Sequence, residues 1–210
     1  MPTLWTFGDS FTDFFSDNTK WGQKYLGWKT YKPKVYGEIL SEELNFNLRN
    51  LGVGGYDNYS IFESFIDVVD EINSEDVLIF GWSNVTRFRL VNNNGIWKPI
   101  IPNYEDNIKN LENINEDTIN QILVNRTNKL YENELNSFIK LINYTFKKNI
   151  IVHWSLFNKT INATYVGNIE TIRKETNGEV DDGHYSENGQ KELSKILMSL
   201  YNKKKNRELI

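Results

Sequence analysis

The chain is predicted to fold as a three-layer α/β/α protein, with helices on both faces of a mostly parallel central sheet. Two observations predict it. Apolar runs of strand length alternate with segments whose apolar residues recur at helical spacing, the pattern of successive βαβ units. One run, Asp76-Val77-Leu78-Ile79-Phe80-Gly81, is almost continuously apolar, as a strand covered on both faces must be. The length of 210 residues suits a single domain over residues 1–210, able to bury roughly 70% of its unfolded surface.

The elements follow in order. Leu4-Trp5-Thr6-Phe7 reads as a short buried strand that Gly8 ends at a tight turn, so Ser10 sits just past its carboxyl end. Open α/β sheets place their ligands at that edge. From Phe14 to Pro33 the chain is aromatic and reads as irregular, with Trp21, Tyr25, Trp28 and Tyr31. A helix at about 34–44 carries Tyr36, Ile39, Leu40 and Leu44, and a strand over 46–51 is closed by Gly52, Gly54 and Gly55. The next helix, about 58–72, shows Ile61, Phe62, Phe65, Ile66, Val69 and Ile72 on one broad face.

After the apolar third strand, residues of about 87–100 read as an inserted β-hairpin around Asn93-Asn94-Gly95, since Asn-Gly favours a type I′ turn. A long helical segment at about 117–147 is expected to turn Leu130, Leu135, Phe138, Leu141, Ile142 and Phe146 inward. A strand at 149–154 and a helix at about 186–203 complete the domain, with a basic, solvated tail over about 203–210.

The net charge of −4 supplies no general attraction to nucleic acid or anionic membrane. The absence of cysteine excludes a thiol nucleophile, a disulfide framework and a thiolate zinc site. No run approaches the roughly 18 apolar residues of a membrane span. No signal peptide is read at the start, so a cytoplasmic location is the default expectation, with a particle-borne or lysis-released protein as the alternative.

With two histidines, the search for a general base is short. His153 lies among Ile150, Ile151, Val152 and Trp154 and reads as a hydrogen-bonded core residue. His184 follows Asp181 by three residues in a polar turn that leads into the last helix. Ser10 near one end, with Asp181 and His184 near the other, supply a nucleophile, an orienter and a base. Taken singly, Gly8-Asp9-Ser10 is also an ordinary turn, and Asp181 to Asn188 an ordinary capping loop.

Together these stretches resemble the SGNH (GDSL) hydrolase family. Gly8-Asp9-Ser10 with Asp13 matches the family's first block, Asn50-Leu51-Gly52-Val53-Gly54-Gly55 is similar to the second, and Asp181-x-x-His184 with Gly189 to the last. The resemblance implies a flavodoxin-like arrangement, Ser10 as nucleophile, Gly55 as an oxyanion N–H donor, and Asp181 and His184 completing the triad. The third block departs from the family pattern of Gly-x-Asn-Asp. Here it reads Gly81-Trp82-Ser83-Asn84-Val85, one residue longer before Asn. Asn84 is the expected side-chain oxyanion donor, and Ser83 the alternative by strict count.

The implied reaction is ester hydrolysis through an acyl-enzyme, with no cofactor and no metal, on a small-molecule or glycan ester. Trp21, Tyr25, Trp28, Trp82 and Trp97 fall where exposed aromatic faces would suit sugar rings, so an O-acetylated carbohydrate is the expected substrate. The same residues could equally cover the core. Arg87 and Arg89 are read as holding an anionic group of the substrate or as pairing with carboxylates. A glycan-binding module that has lost turnover and an O-acyltransferase remain the alternative classes.

Overall fold

Period-two alternation writes both faces of the sheet into its strands. The computed structural model describes residues 1–16, 18, 20–91, 97–100, 128–167 and 186–208. Its strands are β1 (Thr3–Gly8), β2 (Asn47–Gly52), β3 (Val77–Trp82), β4 (Phe88–Val91), β5 (Trp97–Ile100), β6 (Ile150–Ser155) and β7 (Thr164–Tyr165). Five of them pair in parallel in the order β2-β1-β3-β6-β7, while β4 and β5 form a separate antiparallel ribbon. Leaving the ribbon aside, this is the doubly wound order 2-1-3-4-5 of flavodoxin-like sheets.

Among the described residues the helices are α1 (Lys20–Lys29), α2 (Tyr36–Leu44), α3 (Asn58–Ile66), α4 (Asn128–Thr145) and α5 (Glu187–Glu208). On one face Trp5, Phe7, Leu78, Phe80, Trp82 and Ile151 pack against Ile61 and Phe65 of α3 and Leu135, Ile139 and Ile142 of α4. On the other, Leu4, Val77, Ile79, Val152 and Trp154 pack against Tyr36 and Leu40 of α2 and Leu193, Leu197 and Tyr201 of α5. These are the three expected layers. Each large side chain so buried contributes about 1.5–3 kcal/mol before entropy is counted. Among the described residues no helix is long and apolar enough to cross a membrane.

Several elements differ from the sequence expectation. The stretch read as irregular contains α1. The helix expected at 58–72 stops at Ile66, which is itself exposed, and a single 3-10 turn follows at Val69–Glu71. On α4 the buried stripe is Tyr131, Leu135, Ile139 and Ile142, so Leu130 and Leu141 point to solvent at 56% and 51% exposure. The expected start of that helix, 117–127, lies outside the described residues, as does the Asn93-Asn94-Gly95 turn of the hairpin. Helix α5 continues to Glu208, and Lys204 is not merely solvated, because its ammonium donates to the Ile151 carbonyl.

Of the two readings its sequence allows, Trp82 takes the core one. It is 1% exposed, stacks on Phe80 at 5.4 Å, and donates its indole N–H to His153 Nδ1 at 3.2 Å. It shares the parity of Leu78 and Phe80 along β3 and therefore faces the core, not a sugar. The side chains of Trp21, Tyr25, Trp28 and Trp97 lie outside the described residues.

Candidate active site

Three glycines stand level at the carboxyl edge of the sheet, with Gly8 in register with Gly52 on one side and Gly81 on the other. They make room for the turn that follows β1. Thr12 N–H and Asp13 N–H donate to the Asp9 carbonyl at 2.9 and 3.0 Å, which folds the chain back over the strand ends. A Cβ on Gly8 would lie 2.0 Å from Thr12 Oγ1, one on Gly52 2.5 Å from Asp13 N, and one on Gly81 2.8 Å from Thr12 Oγ1. Contact this close admits no side chain without displacing the turn.

The turn is bolted down from several sides. Thr12 is 1% exposed, and its Oγ1 accepts from the Tyr36 hydroxyl at 3.1 Å. Burial pushes the Tyr36 pKa up, so the hydroxyl stays a neutral donor. The Thr12 carbonyl accepts from Asn50 Nδ2 at 2.8 Å, and Gly54 N–H donates to Asp13 Oδ2 at 3.1 Å. Ser10 rides on this turn, half-buried. A Cβ on Gly54 would be 3.8 Å from Ser10 Cβ, so the loop after β2 passes beside the serine. Gly55 adopts φ of +86° with open space around a would-be Cβ, so glycine is required there by conformation alone.

The loop after β3 assigns different work to its two candidate donors. Ser83 is fully buried, and its hydroxyl donates to Asp9 Oδ2 at 2.8 Å. Its carbonyl accepts from Asn58 Nδ2 at 3.1 Å and Asn158 Nδ2 at 2.8 Å. Asn84 is half-buried, and its Oδ1 accepts from both the N–H and the hydroxyl of Thr86 at 3.0 Å. With that oxygen engaged, the Asn84 amide retains its N–H donors, which have no partner among the described residues.

Asp9 carries most of the buried polar chemistry of this edge. Besides Ser83, its carboxylate accepts from Phe11 N–H at 3.1 Å and from Arg87 Nη1 at 2.9 Å. Arg89 pairs with Glu63 at 2.6 Å and lies over the Tyr59 ring at 3.7 Å. Both arginines thus pair with carboxylates, the second of the two readings of their sequence. Asn58 and Asn158 are participants that the motifs did not nominate, and the carboxylate Arg87 takes is Asp9 of the Gly8-Asp9-Ser10 turn.

His153 is a core residue, as its sequence setting suggests. Its Nδ1 accepts from Trp82, which leaves the proton on Nε2 to donate to Asn143 Oδ1 at 3.3 Å. Burial, aided by the nearby Lys204 ammonium, pushes its pKa down to about 3. It is a neutral structural imidazole. Asp181 and His184 lie outside the described residues. The first described residue after them is Ser186, whose Oγ caps α5 by accepting Gly189 N–H at 3.2 Å. Gln190 in the first turn of α5 accepts Tyr36 N–H at 2.9 Å. One residue, Tyr36, therefore ties the start of α5 to the turn that carries Ser10. Among the described residues no group of three His, Cys, Asp or Glu side chains could hold a metal ion.

No protein-family model matches the chain, and no curated protein does. Among solved structures the chain is similar to one described as a GDSL-like lipase from Parabacteroides merdae, with 14% identity, a TM-score of 0.48, and coverage of 96% of this chain and 95% of that one. It is similar to a lipolytic protein of the G-D-S-L family from Desulfitobacterium hafniense at 11% identity and a TM-score of 0.42, covering 95% of this chain and 99% of that one. A third likeness is to a carbohydrate esterase whose active site is described as having divergent catalytic and non-catalytic binding functions. That match has 12% identity and a TM-score of 0.45, over 94% of this chain and 67% of the other.

Proposed function

We propose that the chain is a serine hydrolase that cleaves a carboxylic ester through an acyl-enzyme on Ser10. His184 takes the Ser10 proton as Oγ attacks the ester carbonyl, and Asp181 orients the imidazole. The oxyanion meets the backbone N–H groups of Ser10 and Gly55 and the side-chain amide of Asn84. One such donor is worth about 3–4 kcal/mol in the transition state. His184 then protonates the leaving alcohol, and water releases the acyl group. These steps call for no cofactor.

The observation that supports this reading most is the meeting of three loops at one sheet edge. Ser10, Gly54-Gly55 and Asn84 follow three strands whose glycines are in register, and the Asn84 N–H donors have no partner among the described residues while Ser83 spends its hydroxyl on Asp9. The proposed substrate is an O-acetyl group on a carbohydrate. Support for a sugar comes from a cleft of about 320 Å³ that adjoins the loop through Val85 and Arg87. Tyr59, Tyr131 and Phe138 line it beside Glu63 and Glu134. Arg89 covers one face of Tyr59 and pairs with Glu63, so the exposed part of the Tyr59 ring offers the C–H contact and Glu134 the carboxylate for a sugar hydroxyl. In this reading residues 1–210 act as one domain, with the hairpin as an insertion near the site.

Turnover of p-nitrophenyl acetate by the wild type and its loss in Ser10→Ala test the reaction. A panel of acetylated glycans, with and without an acyl donor, then tests the substrate. Acyl transfer in place of hydrolysis would establish an O-acyltransferase, and glycan binding without any turnover would leave a binding module.

A further inference from the structure

We propose that Arg87 is a positioning residue that holds the three oxyanion donors of the site in mutual register; the inference rests on the serine-hydrolase reading above. Arg87 contacts Asn84 itself and the chain neighbours of Ser10 and Gly55. Its backbone N–H donates to the Asn84 carbonyl at 3.1 Å, closing the turn that presents the Asn84 amide. Its Nη1 donates to Asp9 Oδ2 at 2.9 Å, and Asp9 shares a peptide unit with the Ser10 N–H. The same nitrogen donates to the Tyr56 carbonyl at 3.2 Å, one residue beyond Gly55. From its place in the loop after β3, where its backbone bonds Asn84, Arg87 thus reaches with one side chain to the loops after β1 and β2.

The setting favours positioning over substrate capture. The Arg87 and Asp9 side chains are only 12% and 4% exposed, so the contact is shielded from solvent. Asp9 passes the constraint on, because its other oxygen accepts Phe11 N–H and its carbonyl accepts Thr12 and Asp13 N–H. Ser10 is thereby held on both sides by groups that Asp9 fixes. A buried ion pair is a weak source of net stability, yet it sets geometry firmly, because neither partner has a solvated alternative.

The test uses the full chain with Arg87→Met, Arg87→Lys, Asp9→Asn and the Asp9→Asn/Arg87→Met double variant, each checked for folding by circular dichroism. With p-nitrophenyl acetate, Arg87→Met should lose about 10²-fold in kcat with KM within about threefold, because misplaced donors act on the transition state. Arg87→Lys should recover part of that loss. The double variant should be no worse than Arg87→Met within about threefold, since both changes break one linkage. It also keeps the test open if a lone buried carboxylate prevents Arg87→Met from folding. Amide exchange at Phe11, Thr12 and Asp13 should quicken by about tenfold in the variants, while Leu78 to Phe80 of β3 hold their protection.

A kcat that stays within threefold of wild type, a loss confined to KM, multiplicative effects in the double variant, or unchanged exchange at Phe11 to Asp13 would overturn the proposal. A wild type without Ser10-dependent turnover would overturn the hydrolase reading instead. The exchange measurement then decides by itself whether Arg87 holds these loops.

Discussion

Replacing Asn84 and Ser83 one at a time by Ala separates catalysis from architecture within two adjacent residues. Asn84→Ala removes a side-chain amide whose N–H groups have no partner among the described residues. An oxyanion donor of this kind is worth about 10²–10³ in kcat, with little change in KM, because it acts mainly in the transition state. The stability cost is limited to the two Thr86 hydrogen bonds at a half-buried position, about 1–2 kcal/mol in total. Ser83→Ala should do the reverse. Its buried hydroxyl donates to the Asp9 carboxylate, a bond worth about 1.5–3 kcal/mol to the fold, while kcat falls about tenfold or less. Steady-state kinetics on p-nitrophenyl acetate and urea unfolding of both variants measure the two quantities. If Ser83→Ala damages kcat more than Asn84→Ala does, the oxyanion hole lies one residue earlier. If neither change affects kcat, the site relies on backbone donors alone or does no ester chemistry.

Gly8→Ala should cost about 1–3 kcal/mol by overpacking, since its Cβ would fall 2.0 Å from Thr12 Oγ1; an unchanged urea midpoint would contradict the close approach. His153 has a folded-state pKa of about 3, below the ordinary 6.5, so between those values the unfolded chain binds more protons. Stability should therefore fall as pH drops through that window, by up to about 1.4 kcal/mol per pH unit. Gln can reproduce the acceptor for Trp82 and the donor for Asn143, so His153→Gln should remove that part of the slope between pH 6 and 4; equal slopes in the two proteins would refute it. Shortening the β4–β5 ribbon should change glycan preference yet leave p-nitrophenyl acetate turnover within about tenfold, and equal loss on every substrate would show that the ribbon supports the site itself.

The layers were legible because the apolar runs of β1 and β3, each covered on both faces, and the helical spacing of the apolar residues are strong signals. Helix α1 was hidden by Gly22 and Gly27, each of which costs about 1 kcal/mol of helix propensity. The spacing of Trp21, Tyr25 and Trp28 at i, i+4 and i+7 was the signal that could have revealed it. Strand β7 has two residues, too few for any period to register. Trp82 fits either a sugar-facing or a core reading by its place at a strand end, and parity with Leu78 and Phe80 is what decides for the core. At the site, the motifs nominate Ser10, Gly55 and Asn84 as neighbours of one another, and these residues do follow adjacent strands. That Asp9 is the carboxylate Arg87 pairs with was not legible, because the two lie 78 positions apart and no local period links them.

The account turns on Ser10 being a nucleophile activated by His184, and covalent labelling by a fluorophosphonate probe tests that most directly. Mass spectrometry of the labelled protein should find the adduct on Ser10 alone. Labelling should vanish in Ser10→Ala and in His184→Ala, and should persist in His153→Gln, whose imidazole is neutral, buried and bonded to Trp82 and Asn143. An adduct on another residue, or labelling that survives His184→Ala and fails in a folded His153→Gln protein, would contradict the account.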